Sequence, residues 1–404
     1  MITSVVVVGG GIAGISTLAA LRANGFDGDL TLVDAGEFPY DRPPLSKDYL
    51  AGTTEIKDIA LQRPQWYDDH KVRLIAGSTV AALRTDIGAV ELGDGTTVRA
   101  DRVVLATGGR PARPPIPGAD SPRVHGLRTA EDADKLRAAL APGARLLIVG
   151  AGLIGAEVAS TASALGCEVT IADPMSPPLS AALGPDVAAW LHGMHAEHGV
   201  TALRSVVDAF EDIVDGVAVT FAGDEQPRVF DAALLAVGMT AETTLAEAAG
   251  LRVSRGVLVD HGHVTSNPAV LAVGDAATTY SNGVPLHRSE HWEAAQHDGQ
   301  RAAATILGAA RPAETAPWFW TDRYGVNVQV VGALDDAERL TRRGALDRPP
   351  FSIFGLRAGR VVGAVAVDDP MVVRVARRMI DRAVAVDPAE LSDSSTDLRK
   401  LLRQ

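Results

Sequence analysis

Cysteine is nearly absent from this sequence: Cys167 is the only one among 404 residues. A single thiol cannot form a disulfide framework or a thiolate metal site within one chain. Long apolar runs are also missing, since none approaches the roughly 18 residues that span a bilayer, and the start lacks a charged segment followed by a cleavage site. We therefore expect a soluble cytoplasmic protein that does not enter the membrane.

Positive charge is in deficit as well. The chain carries 38 Lys and Arg against 50 Asp and Glu, a formal net charge of −12. This balance argues against a nucleic-acid partner, which would need a basic face. The 47% hydrophobic content is ample for several cores, and the length predicts two or three domains.

An apolar run at residues 5–8 passes directly into a glycine-rich turn. Gly9, Gly11 and Gly14 occupy the G-x-G-x-x-G positions, which allow a tight turn, a close approach to a pyrophosphate, and helix-on-strand packing. The strand predicted at residues 30–33 ends at Asp34, an acid placed to bind a ribose. Together these features predict a bound dinucleotide.

The same pattern recurs after residues 146–149. Gly150, Gly152 and Gly155 form a second fingerprint, and the strand predicted at residues 168–172 leads to Asp173. The Asp173 carboxylate would repel a ribose 2′-phosphate, and no arginine occurs between Asp173 and Ala182, which favours NAD over NADP.

Two charged groups beside these fingerprints have open interpretations. Glu157, which we place in the first turn of the second helix, is either a helix-dipole partner or a group aimed at the nicotinamide. The irregular, proline-rich loop at residues 38–47 carries Arg42 and Lys47. Its composition alone favours a solvated turn with a helix cap at Ser46.

The later part of the chain adds further predicted elements. Apolar strands lead to small or acidic residues, namely Ala106, Gly238 and Asp275, and a helix at residues 290–307 begins near Trp292. Beyond Pro317, strands at 326–331, 351–356 and 361–367 precede a basic helix at 374–382, which predicts an α+β module. His192, His195 and His198 recur every three residues, and we interpret them as a solvated helical face without a metal.

The C-terminal region is locally basic. Residues 318–404 hold fourteen Lys and Arg against twelve Asp and Glu, a net of +2, which leaves −14 on the rest. Arg374, Arg377, Arg378 and Arg382 recur at helical spacing and can form one stripe. The stripe is either a solvated face or a docking surface for an acidic partner.

These motifs resemble those of the FAD-dependent, NADH-using ferredoxin reductases that serve bacterial cytochrome P450 and Rieske ring-hydroxylating oxygenases. The resemblance covers essentially the full length and includes both fingerprints, the loop at 39–47, Leu127-Arg128-Thr129, Gly274-Asp275, residues 290–292 and Trp318-Phe319-Trp320. It implies an α/β, glutathione-reductase-like fold with two Rossmann-like dinucleotide-binding domains and a C-terminal α+β domain. We expect the FAD domain at 1–113 and 242–316, the NAD domain at 114–241, and the interface domain at 317–404.

The resemblance also implies cofactors and site residues. FAD would bind tightly at the first site, against Gly9, Gly11, Gly14, Asp34, Arg42, Lys47, Ala106, Arg128, Asp275 and Trp292. NADH would bind at the second, against Gly150, Gly152, Ile154, Gly155, Glu157, Asp173 and Gly238. Lys47 near the flavin, Glu157 near the nicotinamide and Trp320 at the hydride-transfer face would be the catalytic residues. Asp34 stands where glutamate is common, and this shorter arm weakens the ribose contact.

The cysteine count separates this family from its neighbours on the same fold. Disulfide reductases use a cysteine pair and peroxidase or oxidase relatives use one redox cysteine near the first domain, whereas Cys167 lies in the second and is expected to be a small buried hydrophobe. Electrons would then leave FAD singly for an external [2Fe-2S] ferredoxin. The alternatives are an NADH oxidase or quinone reductase on the same fold and, less favoured, a non-catalytic flavoprotein that signals its NADH-bound state.

Overall fold

The computed structural model describes residues 2–281, 284–286 and 289–403. The chain forms two compact units, each made of separate segments. The first comprises Met1–Pro43, Thr54–Arg110 and Met239–Glu314, and the second comprises Pro44–Thr53, Pro111–Gly238 and Thr315–Gln404. Among the described residues, no helix is both long enough and apolar enough to cross a membrane. The finer division into three domains stays a prediction.

A five-stranded parallel sheet is the centre of the first unit. Its strands lie in the order Val270–Ala272, Arg102–Leu105, Ser4–Val8, Asp29–Val33 and Val72–Ile75. The run at residues 5–8 is buried on both faces, as expected for a central parallel strand. Two small sheets accompany it: Val80–Arg84 with Ala89–Leu92 and Thr97–Arg99, and Val257–Val259 with Ala277–Ser281 and Val284–Pro285.

The helices of the first unit are Ile12–Ala23, Pro64–Asp69, Thr244–Ala248 and Trp292–Leu307, with short 3₁₀ turns at Ile56–Ile59 and Gly274–Ala276. The first and last of these helices pack together through small side chains. A Cβ on Gly299 would lie 2.5 Å from the Ala13 carbonyl oxygen, so only glycine permits this approach. The helix predicted at 290–307 is confirmed, and it begins two residues later, at Trp292.

The second unit contains another five-stranded parallel sheet. Its order is Thr201–Leu203, Glu168–Ala172, Arg145–Val149, Ala232–Leu235 and Val124–His125. The helices around it are Ala130–Ala138, Leu153–Ala164, Ser180–Leu183 and Pro185–Glu197. An antiparallel sheet of Val207–Ile213, Gly216–Phe221 and Arg228–Phe230 adds to the same core. The short strands Gly109–Pro111 and Met239–Ala241 lie where the chain leaves and re-enters the first unit.

The C-terminal part of the second unit is a five-stranded antiparallel sheet. The order is Trp318–Arg323, Val326–Gly332, Arg360–Val367, Arg348–Arg357 and Arg339–Ala345, with a 3₁₀ turn at Leu334–Asp336. Helix Pro370–Asp381 buries Val372, Val375 and Met379 against it, and the helices Pro388–Ser392 and Leu398–Leu401 follow. The prediction of a helix at 374–382 was displaced, because the Asp369 carboxylate caps the helix at Val372 N–H (3.2 Å) and Pro370 starts it.

Candidate functional site

The two glycine turns have the same geometry. A Cβ on Gly9 would lie 2.3 Å from the Ala106 carbonyl oxygen, and one on Gly150 would lie 2.4 Å from that of Ala236. A Cβ on Gly14 would meet the Gly9 carbonyl oxygen at 2.1 Å, and one on Gly155 would meet that of Gly150 at 2.0 Å. The first and third glycines are thus fixed by close backbone packing in both turns.

The middle glycines differ from their neighbours because they face open space. A Cβ on Gly11 or on Gly152 would meet nothing within 4 Å among the described residues. These glycines are the N-cap residues of helices Ile12–Ala23 and Leu153–Ala164, so in the described part of the chain no N-cap side chain accepts a hydrogen bond from the first N–H groups of either helix. Each turn therefore presents uncapped helix N–H groups across an open surface, which suits a pyrophosphate.

The carboxylates predicted to bind the riboses also accept hydrogen bonds from backbone N–H groups of the adjacent turns. Asp34 accepts hydrogen bonds from Gly10 N–H and from Gly36 N–H (2.8 Å). Asp173 accepts from Ala151 N–H and Met175 N–H, both at 2.8 Å. A carboxylate offers about four lone-pair sites, so these bonds leave acceptor capacity for a ribose.

The other first-unit residues predicted to bind FAD lie on separate elements. Ala106 follows strand Arg102–Leu105, and Asp275 lies in the turn Gly274–Ala276. Trp292 begins the last helix of the unit, and its indole Nε1–H donates to Asp41 at 2.8 Å. The Arg42 guanidinium lies 5.9 Å from the Tyr40 ring centroid. The proline-rich loop is thereby tied to this helix rather than solvated along its length.

Glu157 is the centre of a polar cluster in the second unit. Its carboxylate accepts from Ser46 Oγ at 2.6 Å and from Thr321 Oγ1 at 2.9 Å, and Lys47 Nζ lies 3.4 Å away. Only 6% of Glu157 is exposed. The placement of Glu157 in the first helical turn was wrong, because the helix begins at Leu153 and its first turn contains no acid. A helix-dipole role consequently loses its support, since that effect is confined to the first turn.

Lys47 connects this carboxylate to a second one. Its ammonium nitrogen lies 2.9 Å from Asp322 Oδ2 and 5.6 Å from the Trp320 ring centroid. Trp320 in turn stacks on Trp318, with ring centroids 4.9 Å apart. The three residues predicted to be catalytic, Lys47, Glu157 and Trp320, therefore come together within one unit.

Sequence reasoning missed three members of this cluster, Ser46 as a ligand of Glu157, Thr321 and Asp322. Asp322 had a usable signal, because it follows Trp320 by two residues and alternate residues of a strand share a face. Ser46 and Thr321 had none, since each meets Glu157 from more than 100 residues away along the chain.

A second buried cluster surrounds Arg323, the last residue of the same strand, and Tyr324, which follows it. Burial lowers the pKa of Arg323 to about 10, against the opposing effect of the Glu157 charge. His195 Nδ1 and the Tyr324 hydroxyl lie 2.7 Å apart, and His198 stacks on the Tyr324 ring at 4.0 Å. The prediction of a solvated histidine face was wrong for His195, which is 0% exposed and whose pKa burial lowers to about 3.

The remaining predicted contacts lie in the second unit. Gly238 has a φ of +112° after strand Ala232–Leu235, and Ile154, beside the second turn, is 45% exposed. Arg128 N–H donates to Asp132 Oδ2 at 3.0 Å. Cys167 is buried with its Sγ 3.5 Å from the Ala141 carbonyl oxygen, and burial raises the pKa of its thiol.

The predicted basic stripe has three members rather than four. Arg374, Arg378 and Arg382 are exposed, at intervals of one helical turn. Arg377 is half-buried, and its guanidinium donates to Thr315 Oγ1 at 2.8 Å. Its inclusion in the stripe was wrong, because residue 377 falls between the exposed face and the buried face of the helix.

Comparison with known proteins agrees with this geometry. Residues 3–299 match the family model described as pyridine nucleotide-disulphide oxidoreductase, and residues 318–402 match the reductase C-terminal model. The benzene 1,2-dioxygenase system ferredoxin–NAD(+) reductase subunit of Pseudomonas putida is 37% identical over 412 residues, covering 100% of this chain and 98% of that protein. Putidaredoxin reductase, also of Pseudomonas putida, is 35% identical over 407 residues, covering 99% and 96%.

A solved structure of a ferredoxin reductase is also similar to this chain over nearly its whole length. The covalent putidaredoxin reductase–putidaredoxin complex contains a chain with a TM-score of 0.91 and 34% identity, covering 99% of this chain and 98% of that one. The resemblance to ferredoxin reductases and the expected fold class are therefore confirmed. This chain belongs to the pyridine nucleotide-disulphide oxidoreductase family.

Proposed function

We propose that this protein is an NADH-dependent flavoprotein reductase that holds FAD at the first glycine turn and binds NADH at the second. It passes electrons singly to a [2Fe-2S] ferredoxin, which supplies an oxygenase of the P450 or Rieske type. The benzene 1,2-dioxygenase reductase and putidaredoxin reductase support this function, because both match along nearly the whole chain.

The observation that carries the proposal is the combination of two matched turns with one inert thiol. Gly11 and Gly152 each face open space, in separate units. Cys167 is buried and has a raised thiol pKa, so it is poorly suited to accept electrons. An enzyme with two nucleotide sites and no reactive thiol of its own needs an acceptor outside the chain.

The first turn fits FAD by its own chemistry. Gly11 and the uncapped helix N–H groups would bind the pyrophosphate, Asp34 the ribose, and Asp275 a polyol hydroxyl or a water beneath a phosphate. A bound FAD would accept a hydride from NADH and release the two electrons one at a time.

The second unit would orient the nicotinamide nucleotide. Asp173 would bind the adenosine ribose and repel a 2′-phosphate, which favours NADH over NADPH. Glu157 is held in place by Ser46, Thr321 and Lys47, and this fixed carboxylate would orient the nicotinamide. Lys47 is shared by Glu157 and Asp322, and the Arg323 guanidinium also interacts with the Glu157 charge.

The exposed stripe of Arg374, Arg378 and Arg382 is the proposed docking surface for the ferredoxin. Met371, 49% exposed, adds an apolar contact at the start of the same helix. An acidic partner would be steered to this stripe by charge, and association would slow as salt rises.

The decisive experiment follows electrons from NADH to an external acceptor. We expect a yellow protein that NADH bleaches, and cytochrome c reduction only after a [2Fe-2S] ferredoxin is added. Rapid turnover with oxygen or a quinone in the absence of ferredoxin would instead establish the oxidase or quinone reductase alternative.

A charge-reversal pair tests the docking surface. Arg374→Glu with Arg378→Glu should lower ferredoxin-dependent cytochrome c reduction about tenfold or more at low salt and leave ferricyanide reduction intact. Arg339→Glu with Arg348→Glu makes the same change in net charge at exposed arginines of the sheet and serves as the control. Equal losses in both pairs would refute a localised docking surface.

A further inference from the structure

A carboxylate that the proposed reaction does not use lies behind the Gly274–Asp275 turn. Asp298, on helix Trp292–Leu307, accepts a hydrogen bond from Gly274 N–H at 3.2 Å through Oδ2. Its other oxygen, Oδ1, lies 3.4 Å from His263 Nε2. Both neighbours belong to the first unit, and the His263 side chain is only 4% exposed.

Close packing restricts the conformation of the Gly274–Asp275 turn in addition to this hydrogen bond. Gly274 has a φ of +64°, and a Cβ there would lie 2.9 Å from Ala13 Cβ and 3.4 Å from Ala295 Cβ. Its N–H faces the last helix of the unit, where the Asp298 oxygen is the acceptor. Since Asp275 is the next residue, this anchor also restrains the backbone from which the Asp275 side chain projects.

His263 supports the anchor from the other side. It adopts a φ of +63°, a left-handed conformation that is costly for a residue with a Cβ. Ala272 N–H donates to the His263 carbonyl oxygen at 3.0 Å, so the strained residue is tied to the strand that leads into the turn.

Burial makes the ionised form of the Asp298 carboxyl group energetically unfavourable. Burial raises the pKa of Asp298 and the neighbouring Asp275 adds to the rise, whereas His263, the Gly274 N–H and Arg301 oppose it. Burial lowers the pKa of His263, Arg301 adds to the fall, and Asp298 and Asp260 oppose it. A carboxyl group whose pKa is raised by folding favours the folded state when protonated, and that contribution is lost as pH rises through the folded pKa.

We propose that Asp298 is a positioning residue for FAD: its carboxylate fixes Gly274 N–H, and thereby holds Asp275 in the orientation that binds the cofactor. The inference rests on the proposed FAD site. The stability that burial of the charged carboxylate costs is then exchanged for cofactor affinity.

Protonation of Asp298 replaces a charged acceptor of the Gly274 N–H by a neutral one. FAD retention should therefore fall on acidification, with a midpoint above the ordinary range of aspartate. In Asp298→Asn the amide oxygen still accepts from Gly274 N–H but cannot be protonated in this range. Its FAD retention should not show that fall.

The test is the equilibrium release of FAD from the diluted holoprotein, followed by the fluorescence of free FAD between about pH 5 and pH 8. We expect FAD to bind roughly ten- to hundredfold more weakly to Asp298→Ala, the range for a lost hydrogen bond to a charged group. Asp298→Asn should retain most of the affinity at neutral pH with a flatter pH profile. Asp86→Ala, an exposed carboxylate of the same unit, is the control and should match wild type.

Thermal unfolding of the flavin-free protein separates positioning from a merely structural role. Asp298→Asn should be at least as stable as wild type at neutral pH, because it removes a charge whose burial is costly. Asp298 variants that release FAD like wild type at every pH would overturn the inference, provided that wild type holds FAD. A wild-type protein without any FAD would overturn the proposed function itself.

Discussion

Two buried threonines in the C-terminal sheet give a direct measure of what holds Glu157. Thr321 is 0% exposed and donates to Glu157 Oε1 at 2.9 Å. Thr341 is 7% exposed, and its hydroxyl has no hydrogen-bond partner among the described residues. The change Thr→Val keeps the shape and removes the hydroxyl at both positions, so the two substitutions differ chiefly in the lost hydrogen bond.

The magnitudes follow from that difference. A hydrogen bond to a charged group contributes about 1.5–3 kcal/mol, and Thr321 is fully buried. We therefore expect Thr321→Val to lower the free energy of unfolding by about 2 kcal/mol. Thr341→Val removes a buried hydroxyl without a partner, and should be neutral or stabilising by about 1 kcal/mol.

Urea unfolding at saturating FAD, followed by circular dichroism, would measure both changes, with equal slopes against urea as the condition for comparison. The Michaelis constant for NADH should rise for Thr321→Val and stay unchanged for Thr341→Val, because only the first loosens Glu157. Equal destabilisation by the two substitutions would refute the argument that the Thr321 hydroxyl supports the carboxylate.

Three further predictions concern the nucleotide sites and a buried histidine. Asp173→Ala should raise the Michaelis constant for NADH more than it lowers turnover, and a wild-type enzyme that uses NADH and NADPH equally well would disprove the role of Asp173. Lys47→Ala should slow flavin reduction by NADH in stopped-flow absorbance, and an unchanged rate would dispose of the proposed catalytic role of Lys47. Burial lowers the pKa of His195 to about 3, so the unfolded chain takes up the proton first and stability should fall as pH drops below about 6.5, by about 1.4 kcal/mol per pH unit. His195→Gln should flatten that slope in acid unfolding curves; the same slope in both proteins would contradict it.

The parts of the site that the sequence predicted are those encoded by neighbouring residues. Each glycine turn directly follows a buried strand, and each acid directly follows the next strand. Because these strands pair in parallel, the turn and the acid lie at the same edge of the sheet, and the sequence is enough to predict this. Helix Pro370–Asp381 shows the limit of this reasoning. The arginines at 374–382 indicated its existence, whereas its start depended on a local cap at Asp369 that charge spacing does not reveal.

The supporting contacts could not be predicted in this way. Ser46 and Thr321 reach Glu157 across 111 and 164 residues of chain, and the Asp298 carboxylate meets a backbone N–H rather than a side chain. Nearly every residue type has a backbone N–H, so the type of the partner residue does not reveal such a contact. His195 was misassigned for a related reason, because its hydrogen-bond partner, Tyr324, lies 129 residues away along the chain.

One edge strand of the first parallel sheet, Val270–Ala272, is synthesised long after the strand with which it pairs. Strand Arg102–Leu105 pairs with Val270–Ala272, and all the residues of the intervening segment must be made first. At typical rates of translation that interval is on the order of ten seconds, long compared with the folding of a small domain. During it, one side of strand Arg102–Leu105 has unpaired amide groups that invite pairing with another chain. We therefore expect a chain truncated before residue 270 to aggregate more readily than the full-length chain.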